Sequence, residues 1–251
     1  SEAELIAELV RRDLPYYDPS IGKETVANMN RFAQEAGLGV PVEIAVRRLR
    51  ERGWLLPLAT KGVWEFAPAA RAGAFGSGDP LIELRAVLSR DLDMPCSVAA
   101  ESAAYLLGFT SRRPETECVG APPGVRLPKS LKGYRVVRWA SAVPPVIRDA
   151  LPVWAPDTLV AFMAARPASF HDWPNVGEWL AGAAGAIAAD ELAAELEGHS
   201  AGSWRRAAYL LSRGGAEATA ARLMNGAPPG SGPYYLGDRG APGRYVRDFD
   251  V

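Results

Sequence analysis

The stretch Pro41-Val42-Glu43-Ile44-Ala45-Val46-Arg47-Arg48-Leu49-Arg50-Glu51-Arg52-Gly53 decides how the N-terminal third of this chain reads. Proline suits the first helical position, where its missing N–H would be unpaired in any case, and a glycine just past the last turn ends the helix. At about 100° per residue, Val42, Ala45, Val46 and Leu49 gather on one side, while Glu43, Ile44, Arg47, Arg48 and Glu51 point away. Arg50 flanks that outward face, and Arg52 lies nearer the core edge. A helix that enters the major groove of DNA needs this division: one stripe buried in its own domain, the other polar or basic.

Working outward, Leu5, Ile6, Leu9 and Val10 predict an amphipathic helix. A second is predicted over Glu24–Ala36, with Val26, Met29, Phe32 and Ala33 on one face and Gly37 as its stop. Leu38-Gly39-Val40 then makes the tight turn into the helix quoted above. Downstream, Trp54–Leu58 and Val63–Phe66 are apolar runs separated by Ala59-Thr60-Lys61-Gly62, the pattern of a β-hairpin. Helix, turn, helix and hairpin together predict a winged helix-turn-helix over residues 1–77. Its expected DNA contacts are Arg47 and Arg48 to bases or phosphates, with Glu43 and Ile44 on the same face. Arg50 and Arg52 are placed for phosphates or the domain surface, and Thr60 and Lys61 lie at the tip of the wing. Over residues 43–61 there are five cations and two carboxylates, whereas residues 1–77 balance at ten of each. Attraction to DNA must therefore be local, because the whole chain carries a net charge of −1.

Pro68–Pro80 is rich in Ala, Gly, Ser and Pro, the composition of a connector, and sets a boundary near residue 77. Beyond it helices are predicted at 81–90, 98–107, 157–165, 176–186, 189–197, 203–213 and 216–224. Strands are predicted at 115–119, 134–139 and 151–154, and short extended pieces at Tyr234–Leu236 and Arg244–Val246. The expected fold class is thus α+β: a winged helix over 1–77, then a domain over 78–251 with a small sheet and several helices.

The chain has two cysteines, Cys96 and Cys118, and two histidines, His171 and His199, without the spacing of a zinc site or a disulfide framework. No metal and no cofactor is expected. No stretch approaches a membrane span, and the acidic amphipathic start does not read as a signal peptide, so a cytoplasmic location and no membrane partner are expected. Gly76-Ser77 followed by Asp91-Leu92-Asp93 resembles the metal-binding pattern of nucleotidyltransferases, with Glu117 as a weak third carboxylate. That enzyme is the alternative reading, alongside a protein-interaction adaptor that does not bind DNA. The enzyme needs both aspartates on a strand, whereas Leu81, Leu84, Val87 and Leu88 run a helix into them. Trp204-Arg205-Arg206 reads as a core-packing helix more readily than as a basic groove. His171 has no assignable nucleophile, and no catalytic residue is expected.

The run Val46–Leu56 followed by Gly62–Pro68 is similar to the winged-helix segment of AbiEi-type antitoxins of type IV toxin–antitoxin systems. The similarity continues through Gly78-Asp79-Pro80-Leu81, Leu84-Arg85-Ala86, Ser102–Gly108, Leu151-Pro152-Val153, Pro156-Asp157-Thr158-Leu159, Arg166-Pro167, Asp172-Trp173 and Trp204–Leu211. The resemblance implies a transcriptional regulator that binds inverted repeats in its own promoter and represses the operon. It also implies a C-terminal domain that counteracts a nucleotidyltransferase toxin, with or without direct contact. It carries over no catalytic residues.

Overall fold

The computed structural model describes residues 26–28, 42–51, 53, 55–66, 78–236 and 244–251. The helix expected within Glu4–Arg12, and residues 68–77 of the connector expected over Pro68–Pro80, lie outside the described residues. The chain divides into two units, one comprising Ser1–Met94 with Arg126–Gly133, the other Pro95–Val125 with Tyr134–Val251.

In the first unit, helix α1 (Val42–Glu51) precedes the hairpin of β2 (Leu55–Pro57) and β3 (Val63–Phe66). The hairpin pairs antiparallel with Leu55 opposite Phe66 and Pro57 opposite Trp64. A third strand, β1 (Val26–Asn28), adds to the other edge of β3, so the order is β1-β3-β2. These three residues fall inside the run expected to be helical from Glu24 to Ala36. Pairing overrides the helical spacing there: β3 offers a free row of backbone donors and acceptors, and β-branched Val26 suits an extended chain. Val46, Leu55 and Val63 are buried, as are Leu81, Leu84 and Val87 at or within helix α2 (Ile82–Arg90). A 3₁₀ turn, Lys129–Gly133, joins this unit and buries Leu131.

The second unit is built on a five-stranded mixed sheet of β4 (Ser97–Val98), β5 (Cys118–Ala121), β6 (Arg135–Arg138), β7 (Val146–Arg148) and β8 (Leu151–Val153). Its order is β6-β5-β4-β8-β7. The β5/β6 and β4/β8 pairs are parallel, and β4/β5 and β7/β8 antiparallel. The helices are α3 (Ala100–Leu106), α4 (Pro156–Ala165), α5 (Val176–Gly185), α6 (Ala189–Leu196), α7 (Ala201–Arg213) and α8 (Glu217–Gly226). Helix α4 is buried on every side from Asp157 to Ala164, which its sequence PDTLVAFMAA foretells: a helix apolar all round belongs in a core. It packs against α3, α6 and α7. Gly120 in β5 lies under the ring of Trp154, where an added Cβ would come within 2.7 Å of ring atoms. A mixed α+β architecture is therefore present. The strand expected from 115 begins at Cys118, and the extended pieces expected at Tyr234–Leu236 and Arg244–Val246 carry no strand pairing.

Candidate functional site

Helix α1 turns Val46 inward and leaves Glu43, Ile44, Arg47 and Arg50 exposed. Arg47 Nε lies 3.9 Å from Glu51 Oε1, one turn away, with both side chains largely in solvent. A pair of this kind contributes about 0.3–0.5 kcal/mol, so the guanidinium is cheaply released to another anion. Arg48 lies in α1, but its side chain, like the whole of Arg52, falls outside the described residues.

The hairpin turn is held from below. Glu83, in the first turn of α2, accepts from the backbone N–H of Ala59 (2.6 Å) and of Thr60 (3.2 Å). Thr60, expected at the surface beside Lys61, is buried. Its hydroxyl shares hydrogen bonds with Glu83 Oε2 (3.1 Å) and Ser130 Oγ (2.9 Å). Lys61 is left as the exposed cation of the tip. Gly62 closes the turn at φ +85°, a conformation that strains any residue with a side chain. Helix α2 is itself started by Asp79, which accepts from Leu81 N–H (2.9 Å) and pairs with Arg85 Nε (2.7 Å). The Gly78-Asp79-Pro80-Leu81 and Arg85 motifs thus form one side-chain turn leading into the helix and one ion pair.

The two aspartates of the nucleotidyltransferase pattern are not on a strand. Asp91 ends α2, Asp93 lies in the following turn, and Asp91 Oδ1 accepts from Asp93 N–H (3.2 Å). Glu117 is buried, bonded by Ser102 Oγ (2.5 Å) and paired with Arg113. Among the described residues, no group of three or more His, Cys, Asp or Glu is placed to hold a metal ion.

The polar groups of the second unit tie its elements together. Glu195 of α6 is buried and accepts from Trp139 Nε1 (2.9 Å), Thr158 Oγ1 (2.7 Å), Val143 N–H (2.9 Å) and the Ser141 hydroxyl. Glu101 of α3 pairs with Arg135 of β6 and accepts from the N–H of His171 (2.5 Å). Arg135 also donates to the carbonyl of Ser169 (2.7 Å). Burial pushes the Cys118 thiol up to about 11, reinforced by the neighbouring Glu101. It is therefore a protonated core thiol at neutral pH, not a nucleophile. Asp157, near the start of α4, accepts from Ala188 N–H (3.0 Å). Burial raises its carboxyl to about 6, with Glu191 and Glu195 adding to the effect against the backbone hydrogen bonds.

Trp204 is a core residue whose indole N–H donates to Leu196 O (2.9 Å), and Arg206 Nε donates to Ala164 O (2.6 Å). Trp204 and Arg206 are thus engaged within the unit, and the Arg205 guanidinium lies over the ring of Tyr234, 5.9 Å from its centroid. Sequence reasoning missed Glu83, Glu101 and Glu195. A glutamate in a first helical turn ordinarily reads as complementing the helix dipole, and nothing local shows Glu83 reaching the hairpin. No helix among the described residues is long and apolar enough to cross a membrane.

Comparison with known proteins fits this division of the chain. No curated protein matches it. One solved structure, titled "Crystal structure of RV2827C protein from Mycobacterium tuberculosis", aligns with 97% of this chain and 89% of its own, at 27% identity and a TM-score of 0.73. A family profile described as the AbiEi antitoxin C-terminal domain matches residues 96–213, a span that holds the five-stranded sheet and helices α3 to α7. Residues 96–213 of the chain thus read as an AbiEi-type antitoxin C-terminal domain.

Proposed function

We propose that this chain is the antitoxin of a type IV toxin–antitoxin pair that also regulates its own synthesis. In this reading residues 1–77 are a winged helix-turn-helix that binds inverted repeats in the promoter and represses the operon. Residues 78–251 counteract a nucleotidyltransferase toxin, and the chain acts in the cytoplasm without catalysing a reaction. The antitoxin half rests on the AbiEi match over residues 96–213.

The DNA-binding half rests on one observation. Helix α1 and the hairpin turn expose Arg47, Arg50 and Lys61, while Val46, Leu55 and Val63 beneath them are buried. A helix followed by a hairpin, with a third strand completing the sheet in the order β1-β3-β2, supports the winged-helix reading. Arg47 is held only by an exposed one-turn pair, so little opposes its transfer to a phosphate or a base edge.

The test is a gel shift on the DNA immediately upstream of the gene. Arg47→Ala with Arg48→Ala should abolish the shift while circular dichroism and melting stay as in the unsubstituted protein. Retention of the shift by the double variant would refute the assignment of α1 as the recognition helix.

A further inference from the structure

Between Glu117 and Asp149 the chain carries six cations and no carboxylate, although its net charge is −1. Three of the six, Arg126, Lys129 and Lys132, fall in the short segment Arg126–Gly133 that folds with the N-terminal unit. All three are exposed, and among the described residues none takes part in an ion pair. Three unpaired cations on eight residues repel one another, and a polyanion relieves that repulsion.

The segment is fixed in place on this unit. Leu131 is buried, and Ser130 Oγ is hydrogen-bonded to Thr60 Oγ1 at 2.9 Å. Lys61 follows Thr60 and Lys129 precedes Ser130, so each lysine is one residue, about 3.8 Å along the Cα trace, from a member of that bonded pair. The 3₁₀ turn therefore sits against the hairpin tip and continues its exposed charge from Lys61 to Lys129 and Lys132. Continuity with the hairpin beside α1 selects duplex DNA as the polyanion.

We propose that Lys129 and Lys132, with Arg126, form a second phosphate-binding element of the N-terminal unit. Residues inside the antitoxin-domain match of 96–213 would then contribute directly to DNA affinity. This inference rests on the DNA-binding reading above, and its test separates the two. Phosphate contacts strengthen binding to all sequences alike, and each contributes about 0.9 to the slope of log affinity against log salt.

The experiment uses the full chain and fluorescence anisotropy between 50 and 200 mM salt. The probes are a labelled duplex of the upstream DNA, a scrambled duplex, and a single-stranded RNA of equal length. Lys129→Gln with Lys132→Gln should make the slope shallower by about 1.8 on both duplexes. That corresponds to about a 12-fold smaller loss of affinity across this salt range. The preference for upstream over scrambled duplex should be unchanged. Arg213→Gln, at an exposed position at the end of α7, should keep the original slope. Equal slopes for the lysine variant and the unsubstituted chain, with the latter binding both duplexes, would overturn this inference and leave α1's role standing. A slope change confined to the RNA would overturn it too. Failure of the unsubstituted chain to bind either duplex at 50 mM would remove both readings at once.

Discussion

Replacing Asp157 by asparagine tests the energetic reading of the C-terminal core most directly. This carboxyl sits on a helix buried on every side, accepts one hydrogen bond from Ala188, and has its pKa raised from 3.8 to about 6. A carboxyl whose folded pKa lies above its unfolded value holds its proton more tightly in the folded state. Its favourable contribution is complete below the unfolded value near 3.8 and is lost as pH rises through about 6. Two units at about 1.4 kcal/mol each put the cost of the ionised form at neutral pH at up to about 3 kcal/mol. Asparagine keeps the shape and the acceptor for Ala188 and removes the charge. Asp157→Asn should therefore leave stability near pH 4 little changed and raise it by up to about 3 kcal/mol at pH 8. Denaturant unfolding of both proteins at intervals from pH 4 to 8 measures this, read as the difference between the two curves so that other carboxylates cancel. Tryptophan fluorescence is a suitable signal, since five of the seven tryptophans belong to the second unit. A difference that stays flat with pH, or that shows the variant weaker at pH 8 than at pH 5, would refute the reasoning.

Two further outcomes follow from local geometry. Glu83→Gln removes the charge and one of the two equivalent acceptors that hold Ala59, Thr60 and the Thr60 hydroxyl. Hydrogen bonds to charged groups are worth about 1.5–3 kcal/mol, so amide exchange at Ala59 and Thr60 should quicken by roughly 10- to 100-fold, while α2 keeps its protection. The β7–β8 hairpin turns through Asp149 and Ala150 at φ +48° and +57°, a pair of positions that favours Asn-Gly. Ala150→Gly should relieve the steric strain and stabilise the second unit by about 0.5–1 kcal/mol, visible as a higher melting temperature.

The elements that could be read from the sequence are those whose spacing is set locally. Helix α1, the β2–β3 hairpin, α2 and the helices from α4 to α8 lie within a residue or two of their expected spans, because stripes three and four residues apart and stops such as Gly53 act within one turn. The elements that escaped are defined by their partners. Strand β4 is two residues long, too short to show alternation, and exists because β5 and β8 flank it. Strand β1 exists because β3 has a second edge. The site divides in the same way. The outward position of Arg47 and Arg50 follows from the helical wheel, whereas the burial of Thr60 depends on Glu83 and Ser130, 23 and 70 residues away. The donors gathered by Glu195 lie 37 to 56 residues before it, and no local pattern links them. Asp157 did leave a signal: it is a single acid in the apolar run PDTLVAFMAA, whose helix is buried.

The excursion of Arg126–Gly133 also bears on how such a protein is inherited. The chain passes between its two units three times, after Met94, after Val125 and after Gly133. A gene fusion that joins a foreign N-terminal unit at one breakpoint would bring in a unit lacking Leu131 from its core and Ser130 from its hairpin tip, and would leave those residues stranded in the recipient. Exchange of that unit alone requires the insert at 126–133 to be replaced with it. The two halves are therefore expected to diversify together, substitution by substitution, and not by shuffling of intact modules.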